Sequence, residues 1–316
     1  MLSSRKPLLI TGGAGFVGAN LVKYFLKRNF QVHVLVKKET NLWRLRDILR
    51  DINIYLLDLQ NLKKLKNVCS KINPNYIFHL AAYGSYPSQT DIGEIVNTNI
   101  LGTVNLLEAT RDIPYQCFIN TGSSSEYGFK DKPMQESDIL EPISFYGVSK
   151  ATSTLICQVF ARQFKKPVIT FRLFSVYGPY EEATRLIPTA IKAALTGGIL
   201  NLTKGNVSRD FICVQDVISA YVKAMSKKYL TGEIFNIGSG IQHTNLEVVG
   251  VVQRCSKNRL KFKIGLYKRR PWDTSFWVAN ISKAKSELSW QPKYSLAEGL
   301  KRTYSWFEQN FKLYQK

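Results

Sequence analysis

The chain has 316 residues, a composition that is 45% hydrophobic, and a formal net charge of +21 from 44 basic and 23 acidic residues. This length predicts two lobes rather than a single core. The apolar runs are only as long as strands, and no apolar leader opens the chain, so we expect neither a membrane span nor a secretory signal. Scattered cysteines and separated histidines argue against a disulfide framework and a metal site. We therefore expect a cytoplasmic protein with reduced thiols.

The positive charge predicts an affinity for anions, for which nucleic acid and a nucleotide diphosphate are the two candidates. The basic residues are spread along the chain, with no block of five. They also lack the alternation with aromatic residues that proteins binding single-stranded nucleic acid use. The pattern therefore argues against nucleic acid as the partner.

The stretch Leu8–Gly18 combines a short apolar run with four glycines, and the amphipathic segment Ala19–Arg28 follows it. Strand, glycine turn and helix in this order are the context of a dinucleotide-binding fingerprint. The first glycine would permit the tight turn, the third would leave room for a pyrophosphate, and the fourth would bring the helix close to the strand. N–H groups at the start of the helix would face the phosphates. The predicted cofactor contacts here are Gly12, Gly15, Phe16, Val17 and Gly18.

The second predicted strand, Gln31–Val36, ends where an acidic residue would bind the ribose 2′-hydroxyl of NAD. Lys37 and Lys38 stand there instead, which favours the 2′-phosphate of NADP(H). NAD(H) is the alternative, with both lysines as solvated loop charges. Asp58 follows the third strand, where it would either accept a hydrogen bond from the adenine amino group or cap the helix Leu62–Ile72.

Small residues follow the fourth predicted strand, Tyr76–Leu80, and would let the loop lie against a bound cofactor. A long helix is predicted over Val96–Ala109, with Asn99 turned back toward the sheet to meet either the cofactor or a structural partner. The cofactor contacts predicted in this part of the chain are Leu59, Leu80, Ala81, Ala82 and Asn99.

A hydroxyl cluster, Ser123–Ser125, follows the fifth predicted strand, at the edge where open α/β sheets place their chemistry. Tyr146 and Lys150 are four residues apart, which puts them on one face of a predicted helix. A tyrosine hydroxyl titrates near ~10, and a nearby ammonium together with the positive charge of a nicotinamide would lower its pKa. Tyr146 would then exchange a carbinol proton as a hydride moves.

These motifs together resemble the NAD-dependent epimerase/dehydratase family of extended short-chain dehydrogenases/reductases. The glycine fingerprint, the segment His79–Ala82, the serine cluster and the pair Tyr146 and Lys150 occur in the family's order. Later landmarks of the family resemble Phe171–Pro179, Ser208–Val217, Asn236–Gly240 and Ser289–Lys293, so that the resemblance covers nearly the whole chain.

The resemblance implies that Tyr146 is the catalytic acid/base and that Lys150 lowers its pKa and holds the ribose. Ser123, or else Ser124, would hydrogen-bond the sugar oxygen. Arginines would grip the nucleotide diphosphate, because a guanidinium fork suits phosphate geometry. The implied substrate contacts are Tyr83, Ser123, Ser175 (where many relatives have Asn), Arg185, Arg209 and Arg270, with Arg269 as the alternative to Arg270.

The chain departs from the sugar 4,6-dehydratases of the family directly after Ser123. Those enzymes carry acidic residues there, whereas this chain has Ser124 and Ser125, with Glu126 one place too late. The departure argues against 4,6-dehydration and leaves redox chemistry at one carbinol, C4 of the sugar.

Two enzymatic functions follow from the resemblance. A 4-ketoreductase that uses NADPH is favoured by the C-terminal pattern and by the lysines after the second strand. A 4-epimerase that keeps NAD bound is the alternative. A non-catalytic RNA-binding or scaffold role is a third hypothesis, which the charge of +21 keeps open.

The expected architecture is α/β, with a doubly wound parallel sheet (Rossmann) in residues 1–175 to which 210–237 return. Residues 176–316 would form a smaller C-terminal substrate-binding α/β lobe. Relatives pair through two helices, so the resemblance implies a homodimer through helices 96–109 and 146–162.

Overall fold

The computed structural model describes residues 6–227, 230–268, 270 and 273–315. The strands within these residues are β1 (Pro7–Thr11), β2 (Gln31–Val36), β3 (Asn53–Leu56), β4 (Tyr76–His79), β5 (Cys117–Ser123), β6 (Val168–Leu173), β7 (Ser175–Tyr177), β8 (Ile199–Thr203), β9 (Ser208–Cys213), β10 (Ile234–Ile237), β11 (Gln242–Thr244) and β12 (Lys261–Tyr267). The α-helices are α1 (Phe16–Leu26), α2 (Leu62–Ile72), α3 (Ile92–Val96), α4 (Gly102–Thr110), α5 (Phe145–Gln163), α6 (Leu186–Thr196), α7 (Val214–Met225), α8 (Asn245–Cys255), α9 (Ser282–Leu288) and α10 (Leu296–Asn310).

Seven parallel strands form the main sheet, in the order β10-β6-β5-β4-β1-β2-β3. In the middle of the sheet, Ile10 of β1 pairs with Val34 of β2 and with Phe78 of β4. The central strands are buried along nearly their whole length, as expected where helices cover both faces. The strand order reverses between β1 and β4, which opens a crevice at their carboxyl ends. The predicted doubly wound parallel sheet is confirmed.

A 3-10 helix at Trp43–Ile48 lies between β2 and β3. The helix predicted to begin at Val96 begins at Ile92, and a π-helical turn at Asn97–Leu101 joins α3 to α4. The wider turn tucks Asn99 into the protein, where it is buried.

Asp58 does not cap α2. Asn61 directly precedes the helix, so its side-chain oxygen reaches the backbone N–H of Lys64 and accepts that bond. The carboxylate of Asp58 instead accepts a hydrogen bond from the backbone N–H of Gln60, at 2.9 Å.

The C-terminal half contains two small sheets, β11-β9-β7 and β12-β8. The helices α6, α8 and α10 pack on them around a separate apolar cluster that includes Ile187, Val248 and Phe307. The chain also returns to the main sheet, since α7 packs against α1 and β10 pairs with β6. Among the described helices, none has the length and apolar character needed to cross a membrane.

Candidate active site

A cavity of about 1210 Å³ lies where the carboxyl ends of the central strands face the C-terminal half. One side is lined by the glycine turn after β1 and by the ends of β2 to β5. The other side is lined by β7 to β9 and by the segments that precede α6 and α8. A concave site at the topological switch point of an open sheet is the usual place for a nucleotide ligand.

The glycine turn explains why β1 leads so directly into α1. Gly12 has φ of +67°, and a Cβ on it would lie 2.5 Å from the backbone of Ala81. A Cβ on Gly18 would lie 2.2 Å from the carbonyl oxygen of Gly12, so α1 can approach the turn only without a side chain there. Gly15 caps α1 without a side-chain bond, and Phe16 and Val17 line the cavity beside it. The start of α1 therefore faces the cavity with unshielded N–H groups, which suit a diphosphate.

The lysine at the end of β2 is held by acidic residues. The ammonium of Lys37 lies 3.1 Å from the carboxylate of Glu94 and 3.4 Å from that of Asp58, and it contacts the hydroxyl of Thr98 at 3.5 Å. Partial burial acts to lower the pKa of Lys37, but the two carboxylates outweigh it and the pKa is raised. Lys38 is exposed and lies outside the cavity lining. The predicted preference for NADP is therefore not supported, because the lysine that would hold a 2′-phosphate is already paired.

The loop after β4 lies against the cavity as the sequence predicts. Leu59 and Asp58 after β3 line the same wall, together with Leu80, Ala81, Ala82 and Tyr83. Asn99 does not line it. Its amide oxygen accepts from the N–H of Tyr83, and its amide nitrogen donates to the carbonyl of Tyr83 and to the hydroxyl of Ser149, each at 2.8 Å. Asn99 thus uses its hydrogen bonds to tie this loop to α5, which favours the structural partner over the cofactor contact, the two alternatives that the sequence left open.

Ser123 ends β5 and begins the 3-10 helix Ser124–Glu126. Its hydroxyl accepts from the N–H of Ser125 at 3.2 Å, and the carboxylate of Glu126 accepts from the N–H of Ser123 at 2.8 Å. This reciprocal capping fixes the backbone of the serine cluster and leaves Ser123 on the cavity wall.

Tyr146 and Lys150 lie in the first turns of α5 and both line the cavity. Burial raises the pKa of Tyr146 to about 12, while the hydroxyl of Ser123 and the charge of Arg185 act to lower it. Burial also lowers the pKa of Lys150, against the effect of Glu126. In the protein alone, burial outweighs the nearby positive charge, and the lowered pKa expected with a bound nicotinamide stays a prediction.

The carboxylate of Glu126 is turned into the core. It lies 2.7 Å from the guanidinium of Arg172, and the two side chains are 0% and 2% exposed. Ser124, in contrast, lines the cavity, and its hydroxyl accepts a bond from Nε1 of Trp277 at 3.0 Å. The residues on the cavity wall directly after Ser123 thus carry hydroxyl groups, and the nearest acidic residue along the chain serves as a structural ion-pair partner.

Three arginines line the cavity, Arg185, Arg209 and Arg270, and Ser175 lines it at the start of β7. Arg209 donates to the carbonyl of Ser208 at 2.7 Å and lies 3.6 Å from the carboxylate of Asp273. Burial lowers the pKa of Arg209, and the positive charges of Arg185 and Arg270 lower it further, against Asp273. Each of the three guanidinium groups offers the planar fork of N–H donors that suits a phosphate. Arg269, the alternative to Arg270, lies outside the described residues.

Several cavity residues carry no motif that sequence reasoning could use. Trp277 follows Ser124 by more than 150 positions and is joined to it by a hydrogen bond. Tyr86 packs its ring 5.9 Å from the guanidinium of Arg185, and burial raises the pKa of this tyrosine. Glu181 is buried, with one carboxylate oxygen that has no hydrogen-bond partner among the described residues. The sequence did not identify these three residues as site residues, because the side chains that they contact in the cavity are distant from them in the chain.

Comparison with known proteins agrees with this geometry. A family model described as GDP-mannose 4,6 dehydratase matches residues 9–303. The dTDP-glucose 4,6-dehydratase of Haemophilus influenzae is 29% identical, over 95% of this chain and 97% of its own length. The UDP-glucose 4-epimerase of Mycoplasma pneumoniae is 30% identical, over 94% of this chain and 95% of its own.

Solved structures agree as well. The crystal structure of the UDP-glucuronic acid 4-epimerase of Bacillus cereus, in complex with UDP-glucuronic acid and NAD, has a TM-score of 0.85 and 29% identity. The match covers 96% of this chain and 99% of that one. The resemblance inferred from the motifs is therefore confirmed, and the chain belongs to the NAD-dependent epimerase/dehydratase family of extended short-chain dehydrogenases/reductases, which are enzymes acting on nucleotide sugars.

Proposed function

We propose that this chain is an NAD-dependent 4-epimerase of a nucleoside-diphosphate hexose. The observation that carries the proposal is the combination of Ser123, Tyr146 and Lys150 on one cavity wall with hydroxyl residues directly after Ser123. The first three suit reversible oxidation of a single carbinol. The residues after Ser123 offer no carboxylate to remove a proton from a neighbouring carbon, which supports redox chemistry alone over dehydration.

The chain's own residues would move the proton and hold the sugar. The phenol oxygen of Tyr146 takes the proton of the C4 hydroxyl during oxidation and returns it during reduction. Because burial holds the pKa of Tyr146 near 12, the phenolate needs a positive charge beside it, and Lys150 one turn along α5 supplies one. The hydroxyl of Ser123 orients the sugar oxygen. A bound NAD supplies the acceptor and donor of the hydride.

Inversion at C4 requires the keto sugar to present its other face while its nucleotide stays bound. Arg185, Arg209 and Arg270, which all line the cavity, would hold the diphosphate. The same cavity of about 1210 Å³ is lined by Tyr146, so one nucleotide sugar could contact both the arginines and the tyrosine.

The choice of NAD rests on both ends of the cofactor site. The glycine turn and the open start of α1 fit a dinucleotide diphosphate, and Lys37 is paired with Asp58 and Glu94 instead of being available to a 2′-phosphate. The Bacillus cereus relative carries NAD. The ketoreductase hypothesis drew on Lys37 and Lys38, so this pairing removes one of its two supports.

We further propose that two copies pair through α3–α4 and α5. Exposed apolar side chains lie along both segments, namely Ile92, Val96, Leu101, Val104, Val148, Leu155 and Val159. Apolar faces of this size on adjacent helices are typical of subunit interfaces. Val159→Asp should shift the protein from dimer to monomer in light scattering, and a wild-type monomer would contradict the proposal.

The first test of the function uses the purified protein. Denaturation followed by mass spectrometry identifies any nicotinamide nucleotide released, and an epimerase should release NAD in near-equal amount to the protein. Incubation with a panel of UDP-, dTDP-, GDP- and CDP-hexoses should then interconvert one pair of C4 epimers, as seen by NMR. The Tyr146→Phe variant should still bind NAD but lose turnover by about 10²-fold or more.

Other outcomes point elsewhere. Protein that carries no nucleotide and consumes NADPH with a 4-keto sugar would be a reductase. Formation of a 4-keto-6-deoxy product would be dehydration, in spite of Ser124 and Ser125. Failure to bind either nicotinamide nucleotide would favour the non-catalytic hypothesis, and full activity of Tyr146→Phe would refute the mechanism.

A further inference from the structure

The pairing of Lys37 brings together three elements that are distant in sequence. Lys37 follows β2, Asp58 follows β3, and Glu94 lies in the first turn of α3. The N–H of Glu94 is held by the side chain of Asp91 at 3.0 Å, which fixes the glutamate on its helix. One ammonium therefore meets two carboxylates, at 3.1 and 3.4 Å, and this group carries a net negative charge.

The other fixed cation near this end of the cavity is also engaged. Nε of Arg44 donates to the carbonyl of Tyr180 at 2.8 Å, and one terminal nitrogen lies 3.1 Å from the carboxylate of Glu182. Its second terminal nitrogen donates to the carbonyl of Ala14 at 3.5 Å. Among the described residues lining this wall, both cations thus have acidic partners. A phosphate placed beside Lys37 would meet the carboxylate of Asp58 as well.

Glu94 is distinct from Asp58 because it does not line the cavity. It contacts Lys37, so it would act on a ligand in the cavity through the lysine. Without the glutamate, Lys37 would have one carboxylate partner, and its ammonium could turn toward the ribose of a bound dinucleotide.

We propose that Glu94 is the residue that sets cofactor selectivity in this chain: by holding Lys37 away from the ribose, it excludes the 2′-phosphate of NADP. The inference rests on the proposed NAD-dependent function. It makes Glu94 a positioning residue, because it contacts Lys37 and not the cofactor.

The test is calorimetric titration of the nucleotide-free full-length protein with NAD and with NADP, so the readout is binding and not turnover. The variants are Glu94→Gln, Lys37→Gln, and the two combined. Glu39→Gln is the matched control, because Glu39 is exposed, lies two residues from Lys37, and has no ion pair among the described residues. It removes the same charge without freeing the lysine.

Wild type should bind NAD at least about tenfold more tightly than NADP, since the two carboxylates around one ammonium repel a doubly charged phosphate. Glu94→Gln should tighten NADP binding by about tenfold and change NAD binding by less than about twofold. The combined variant should lose that gain, because the gain requires Lys37. Glu39→Gln should leave the ratio of the two dissociation constants unchanged.

Each contrary result is decisive. A wild type that prefers NADP, an unchanged ratio in Glu94→Gln, or an equal shift in Glu39→Gln would each overturn the role of Glu94, with the epimerase proposal intact if NAD still binds. A gain that persists in the combined variant would show that Lys37 is not the phosphate partner and would also overturn it. A wild type that binds neither nucleotide would refute the proposed function and this inference together.

Discussion

Breaking the buried ion pair of Glu126 and Arg172 should lower the free energy of unfolding more than breaking an ion pair on the surface. The two groups lie 2.7 Å apart and are 0% and 2% exposed, and Glu126 also accepts the N–H of Ser123. Arg172→Met would leave a carboxylate in the core with only that backbone bond. Removing one partner of such a pair lowers the free energy of unfolding by about 3–5 kcal/mol.

The double variant Glu126→Gln with Arg172→Met distinguishes the cost of an unpaired buried charge from the cost of lost packing. The introduced glutamine can still accept the bond from Ser123, and the introduced methionine fills much of the space of the arginine stem, so no unpaired charge remains. We expect this variant to recover about half or more of the stability lost in Arg172→Met, since a neutral replacement of a buried pair is often tolerated.

Urea unfolding at pH 7, followed by far-UV circular dichroism, measures both effects. The control is Lys66→Met, which breaks the exposed pair with Glu108 (3.2 Å) and should change stability by less than about 1 kcal/mol. The reasoning fails if Arg172→Met unfolds within about 1 kcal/mol of wild type. It also fails if the double variant loses as much free energy of unfolding as Glu126→Gln and Arg172→Met lose when their separate losses are added.

Three further predictions follow from single positions. Gly18→Ala should weaken NAD binding by about tenfold or more, because its Cβ would lie 2.2 Å from a backbone oxygen of the glycine turn. The control Gly250→Ala should leave NAD binding unchanged, because the nearest atom there is a flexible guanidinium nitrogen at 3.8 Å. Equal calorimetric affinities of the two variants for NAD would contradict this prediction. Burial raises the pKa of Glu181 from 4.5 to about 8, so the folded protein holds this proton more tightly than the unfolded chain does, and stability should fall as pH rises from 4.5 to 8. Glu181→Gln should flatten that part of the pH profile of urea unfolding, and an unchanged slope would refute the assignment. Arg209→Ala should raise KM for the nucleotide sugar by about 10-fold to 100-fold, with a smaller change in kcat. Arg302 is exposed, so the control Arg302→Ala should leave KM unchanged. An unchanged KM in Arg209→Ala would mean that the diphosphate binds elsewhere.

The parts of this protein that were predictable from sequence are those whose geometry is decided by neighbours in the chain. The turn at Gly12 needs a positive φ, and Gly18 needs room beside a carbonyl only six residues away, so the strand, turn and helix were identified from Leu8–Gly18 and the amphipathic segment Ala19–Arg28. Tyr146 and Lys150 share a face because a helix repeats every 3.6 residues. The alternation of apolar strands with helices predicted the doubly wound sheet.

The remainder depended on contacts between distant segments. Lys37 predicted NADP because Glu94, 57 residues later, had no visible connection to it. The sequence left open whether Asn99 meets the cofactor or a structural partner, and its bonds to Tyr83 and Ser149 favour the structural role. The pKa of Tyr146 rises because burial is a property of everything packed around the phenol, and no local pattern records it. Sequence therefore determined where the chemical groups are carried, and the tertiary structure alone decided which charges are already paired, which are buried, and so which remain available to a ligand.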